Sequence, residues 1–174
     1  MAQSFKKHRY VFGSLLVAAL IVGGVVIRTN EDEFVAVIVK NVVVRVEVVA
    51  SQAERARGLS GRGALPQSGG MFFLFDESGL HSIWMKDMKF PIDILWLSED
   101  MIVDIEERVS PPAPGTPLTS LPVYTPDAPA RFVLEVNAGF VERHGIRIGD
   151  PVKIPWFYLG LPEGPLPYDK VSSP

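Results

Sequence analysis

The chain of 174 residues contains no cysteine and only three histidines. The first absence excludes disulfides and thiolate chemistry, so an exported domain of this composition must stand without covalent staples. The second leaves His8, His81 and His144 far apart in sequence, with no His-Glu-x-x-His pair, which argues against a zinc centre. No glycine-rich stretch ends in Gly-Lys-Ser/Thr, so a phosphate loop is missing as well. Ser60 and Ser82 have no recognisable base partner, and the acidic clusters 99–100 and 104–107 lack the alternating oxygen pattern of a calcium loop. No metal or cofactor is expected. Positive charge is also short. After residue 28 there are thirteen Lys and Arg against twenty Asp and Glu, a net charge of −7. A phosphate backbone needs the opposite sign, so nucleic acid is not an expected partner.

A long apolar run is present. Residues 10–27, YVFGSLLVAALIVGGVVI, hold eighteen positions without a charge. At 1.5 Å per helical residue they approach the roughly 30 Å hydrocarbon core of a bilayer. Basic residues precede the run and Glu31, Asp32 and Glu33 follow it. That asymmetry predicts a cytoplasmic segment 1–9, a transmembrane signal anchor 10–27 with the bilayer as partner, a stalk 28–34 and an extracytoplasmic body. A cleaved signal and a secreted body form the alternative, although VVIRTN makes a poor cleavage site.

In the body, valine-rich FVAVIV and VVVRVEVV read as two strands split by Lys40 and Asn41. Ser51 with Glu54 forms a capping box that opens a helix of about two turns, ended by Gly58. Strands are predicted over 71–75 and 81–85, after Pro91, and over MIVDIEER, with a hairpin turn at Glu99–Asp100. Seven prolines in residues 111–129 make an extended surface loop, because each fixes φ and removes a donor. ARFVLEV alternates, with Ala130, Phe132, Leu134 and Val136 facing in and Arg131 and Glu135 facing out. Asn137 is expected to cap a short helix over 138–144. The fold class is therefore mainly β: a single compact barrel-like or sandwich domain with two short helices, preceded by one N-terminal transmembrane helix. Residues 155–174 form a proline- and aromatic-rich tail.

Three stretches carry a resemblance. Arg57-Gly58-Leu59-Ser60-Gly61-Arg62 leads to Leu65-Pro66, Gly70-Met71, Phe73 and Phe75. Ile83-Trp84-Met85-Lys86 precedes Pro91-Ile92-Asp93-Ile94. Ala130 to Glu135 is followed by Gly139, Gly145-Ile146 and Gly149-Asp150. In this order and spacing they resemble the DUF192 family over residues 35–154. The resemblance implies a small, predominantly β domain and carries no activity with it. Met88 stands where the family has a threonine-like residue, and the tail lies beyond the resemblance.

The candidate ligand-binding residues are Arg57, Arg62, Trp84, Lys86, Asp93, Arg131 and Glu135. Trp84 and Lys86, two apart, share a face, either as core cover with an outward ammonium or as one wall of a pocket. Arg57 and Arg62 flank GLSG, where they either pin the loop to Asp93 or Glu135 or hold an anion. Arg131 and Glu135 lie roughly 13 Å apart along a strand and must seek partners elsewhere. The leading expectation is a membrane-anchored binding or structural domain for an anionic or carbohydrate envelope ligand. One alternative is a hydrolase-like enzyme using Asp93 and Glu135, although neighbouring arginines would tend to keep both carboxyls ionised. The other is a protein-interaction module using loop 111–129 and the C-terminal tail.

Overall fold

The protein is described by a computed structural model over residues 35–159 and residue 161. Among the described residues there are nine strands and two α-helices: β1 (Val35–Val39), β2 (Val42–Val49), α1 (Gln52–Arg57), β3 (Gly69–Gly79), β4 (Ile83–Trp84), β5 (Ile92–Leu97), β6 (Ile102–Val109), β7 (Val123–Tyr124), β8 (Ala130–Asn137), α2 (Phe140–His144) and β9 (Val152–Lys153). Lys40 takes a left-handed conformation, φ 58°, to close the β1–β2 hairpin. The predicted capping box is formed: Ser51 accepts from the Glu54 amide while the Glu54 side chain accepts from the Ser51 amide. Because β2 and β3 are parallel, the chain must return to the same end of the sheet, and α1 lies on that crossover.

Seven strands form one sheet in the order β6-β5-β8-β3-β2-β1-β9. Its two ends approach each other. Met101 bridges Pro151, and the amides of Ile102 and Val152 donate to the carbonyls of Asp150 and Asp100. The result is a half-barrel with an apolar cluster on each face. The inner cluster draws on all seven strands, with Phe72, Phe132, Leu134, Val37 and Val46 fully buried and α2 adding Phe140 and Val141. The outer cluster contains Met71, Phe73, Ile94, Trp96 and Val133. It is covered by Leu59, by Ile83 and by Met85 and Met88 from the segment after β4. Burying each such side chain contributes roughly 1.5–3 kcal/mol. Side chains alternate along β5, Ile92, Ile94 and Trp96 serving one cluster and Leu95 and Leu97 the other.

Asp93 sits between Ile92 and Ile94 and points into the inner face, fully buried. Its carboxylate accepts from the amides of Arg108 at 2.8 Å, Gly139 at 3.1 Å and Val141 at 2.9 Å. One side chain therefore ties β5 to the end of β6 and the start of α2. The backbone bends to meet it: Arg108 has φ 54° and Gly139 φ 77°. Asn137 does not cap this helix; its side-chain amide donates to the Pro66 carbonyl at 2.8 Å, and the position before the helix is Gly139.

Two sequence expectations are corrected. The spanning helix expected over residues 10–27 lies outside the described residues, and among the described residues no helix is long and apolar enough to cross a membrane. The helices present have six and five residues, under about 10 Å of rise against a core of about 30 Å. The architecture is corrected accordingly to a mainly-β half-barrel with two short helices. Of the tail, the described residues Trp156, Leu159 and Leu161 pack on the inner cluster.

Replacing Asp93 by Ala strands three amide donors at once, and each unsatisfied buried donor costs about 1–3 kcal/mol. Asp93→Ala is expected to lower the unfolding free energy by at least about 3 kcal/mol in urea titrations, with the denaturant slope unchanged. A loss below about 1 kcal/mol contradicts the bracing role.

Candidate functional site

Glu135 is the second buried acid. On β8 it lies opposite Met71 of β3 and Ile94 of β5, and it faces the outer cluster, as does Val133 two residues before it. The sequence pattern placed it in solvent, but the loops after α1 and β4 cover that face and leave it 5% exposed. Burial pushes its pKa up to about 8, only partly offset by the positive charge of Arg62. The expectation that both candidate carboxyls stay ionised is therefore wrong for Glu135: at neutral pH it carries a proton. Arg62 itself pairs with Glu47 at 2.7 Å. Glu47 stands opposite Met71 on the next strand, so the two glutamates are roughly 10 Å apart across the sheet.

Glu135 lines a small cavity of about 20 Å³, room for about one water. Arg57 ends α1 and Ser60 lies in the segment after it, Trp84 and Lys86 come from β4 and its continuation, and Phe73 from β3. The two covering segments are sewn together. Ser60 Oγ donates to the Lys86 carbonyl at 2.8 Å, and the Gly61 amide donates to the Asp87 carbonyl at 2.9 Å. Lys86 Nζ lies 5.8 Å from the centre of the Trp84 ring and 3.7 Å from Asp87. Such an exposed ion pair contributes little. The Arg57 guanidinium makes no hydrogen bond or ion pair with the described residues.

The cavity shares Arg55, Ala56, Ile83 and Trp84 with a wider, more open groove of about 530 Å³. Its other wall includes Phe75, His81 and Val123. Trp84 pairs with Val123 in the small β4–β7 ladder, and both stay exposed, at 44% and 59%. The groove's side is rigid. The rings of Phe75 and His81 stack at 3.6 Å, and Arg55 lies 4.9 Å from the Phe75 ring centre while donating to the Leu74 carbonyl. His81 is held further by its Nε2 contact with the Glu77 carbonyl and by its own carbonyl, which accepts from the Trp96 indole.

Of the seven sequence candidates, Arg57, Trp84, Lys86 and Glu135 meet at one cavity, and Arg62 stands near Glu135 through its charge. Asp93 and Arg131 do not join them. Asp93 pairs with Val136 and points to the inner face, so it and Glu135 lie on opposite sides of one sheet. The two-carboxylate hydrolase reading is corrected on that ground, since paired acids must face one space. Arg131 reaches the other end of β8, where it pairs with Glu99 at 3.3 Å and stacks by Trp156. Loop pinning falls to Arg62 alone, with Glu47 as its partner. Sequence reasoning missed Phe75 and His81, which stack on each other, and Val123, which the β4–β7 ladder brings beside Trp84 from far along the chain.

Residues 35–154 match the family DUF192, described as an uncharacterized ACR. No curated protein matches the chain. A solved structure from Novosphingobium aromaticivorans, of a protein of unknown function, is similar with 26% identity and a TM-score of 0.63 over 82% of this chain and 99% of that one. A second, from Sinorhizobium meliloti and described as a "putative transcription regulator", has 28% identity and a TM-score of 0.60 over 68% of this chain and 89% of that one. The single-pass topology, the bilayer as partner and the envelope ligand that depended on them are corrected with the anchor.

The raised Glu135 pKa fixes the sign of a pH effect. Between about 4.5 and 8 the folded chain holds a proton that the unfolded chain has released, so stability is greatest below that window and falls as pH rises through it. The slope approaches about 1 kcal/mol per pH unit. Glu135→Gln is expected to flatten it, measured as unfolding free energy at pH 5, 6.5 and 8. Parallel curves for both proteins contradict the buried, protonated state.

Proposed function

The chain belongs to the DUF192 family, which brings no activity with it, and we propose that it is a protein-recognition domain whose groove between α1 and the β4–β7 ladder receives an extended segment of a partner. The carrying observation is the pairing of exposed Trp84 with exposed Val123 along an open groove of about 530 Å³. Exposed aromatic side chains on a rigid wall are anchor points, because they bury large area with little entropy to lose. A small-molecule site encloses most of its ligand, whereas this groove is open along its length and suits a chain passing through it. Val123 belongs to the proline-rich loop 111–129, so that loop supplies one wall. A stiff loop loses little freedom on docking.

Catalysis has less support. The acid in the cavity is flanked by cations and not by a second acid or a base. The Ser60 hydroxyl is engaged by the Lys86 carbonyl, and His81 is occupied by the Glu77 carbonyl. The regulator description of one relative is compatible with a binding role and names no partner.

Selection of displayed peptides against the full chain tests this reading. Trp84→Ala is expected to weaken a selected peptide by roughly thirtyfold, as a hot-spot truncation of about 2 kcal/mol does. Ile148→Ala, which removes an exposed residue outside the groove lining, should leave affinity unchanged. Equal binding by the Trp84 and Ile148 variants would discard the groove.

A further inference from the structure

We infer that the small cavity opening beside Trp84 is a carboxylate-binding subsite, taking one acidic side chain or the C-terminal carboxylate of the docked segment between Arg57, Lys86 and Glu135. The inference deepens the recognition reading and rests on it for the identity of the ligand.

The volume sets the first limit. About 20 Å³ is room for about one water, so one carboxylate oxygen enters while the carboxyl carbon and the second oxygen stay at the mouth; a sugar ring or a phosphate with its full set of oxygens does not fit. Charge sets the second. Arg55, Arg57 and Lys86 line the cavity with Glu135, and Arg62, outside the lining, acts on Glu135 through its charge. Glu47, on the neighbouring strand, is already paired with Arg62. A cationic ligand group would meet repulsion from all of these. An anionic oxygen would meet attraction.

Partner accounting sets the third. Arg55 is committed to the Ala50 and Leu74 carbonyls, and Arg62 to Glu47. The Arg57 guanidinium is uncommitted among the described residues, and no hydrogen bond to the Glu135 carboxyl is formed by them either. A buried acid and an arginine thus line the same space with donor capacity unused. Arg57 offers a fork suited to two carboxylate oxygens. Glu135, protonated at neutral pH, offers an O–H to a carboxylate oxygen instead of repelling it. Ser60 and Gly61 fix the Lys86 and Asp87 backbone, which keeps the Lys86 wall in place without contributing a ligand contact.

The pH dependence follows directly. Carboxylate affinity holds while Glu135 is protonated and falls as pH rises through about 8, where the ionised acid repels the ligand. At about one unit above that midpoint the competent fraction is roughly one tenth, so affinity is about tenfold lower.

The probes are sodium acetate, which tests the cavity alone, and a groove-selected peptide compared with its copy in which acidic residues are replaced by amides and the C-terminus is amidated. Binding is read by amide chemical shifts of Gly58, Ser60 and Gly61 at constant ionic strength. Saturable acetate shifts are expected at pH 6.5, weakened about tenfold at pH 9. Glu135→Gln should keep binding and lose the pH dependence, while Arg57→Ala should weaken it about tenfold at unchanged fold, read from the full amide spectrum. Acetate without saturable shifts, or equal binding of the acidic and neutral peptides, overturns the subsite and leaves the groove standing. Saturable acetate binding with no selectable peptide overturns the groove and leaves the subsite. Tighter binding of acetate at pH 9 than at pH 6.5 also overturns it.

Discussion

Strand β8 is buried on both faces, and that constraint shapes everything around it. Phe132, Leu134 and Val136 fill the half-barrel, while Val133 and Glu135 lie under a second layer of loop. A strand in this position cannot place a polar residue in water on either side. Every polar group on it must therefore be satisfied by the layer above or become available to something that enters. Gly70 shows how close the strands come: a Cβ there would sit 2.8 Å from the Glu135 carbonyl oxygen. No side chain fits between them, so glycine at 70 keeps β3 and β8 in register next to the cavity.

The two buried acids solve the problem of burial in opposite ways. Asp93 meets three backbone amides and becomes a brace between β5, β6 and α2. Glu135 meets no such donors and retains a proton. One carboxyl is satisfied by the protein's own backbone. The other keeps its hydrogen-bonding capacity for the cavity it lines. The contrast comes from neighbours alone, since the strands that carry them are adjacent.

Much of the sheet was legible along the chain because its signals are local. Valine runs, the Ser51–Glu54 capping box, the turn at Lys40 and the alternation on β5 depend on residues close in sequence. The outer layer was not legible, since an alternating pattern reports one polar face without saying whether loops return to cover it. Glu135 read as exposed for that reason. Asp93 and Glu135 looked like a pair because both are acids near the ends of signature stretches, and only the register of β5 against β8 puts them on opposite faces. Arg57, Trp84 and Lys86 were singled out by residue type and meet at the cavity; Phe75, His81 and Val123 needed the tertiary fold to be found. The apolar run at 10–27 lies outside the described residues, among which no helix is long and apolar enough to cross a membrane.

The order of the sheet has a kinetic consequence. Strand β8 lies between β3 and β5, both synthesised long before it, and β2 pairs in parallel with β3 across the α1 crossover. The barrel is fastened last, when Pro151 reaches Met101. Chains dominated by such distant pairings fold on the millisecond-to-second scale, because long loops must close before any contact compensates for the lost entropy. Until residues 130–137 arrive from the ribosome, β3 has only β2 beside it and β5 only β6, so the edges that carry Phe72, Leu95 and Trp96 stay open and this is the period of greatest exposure to aggregation.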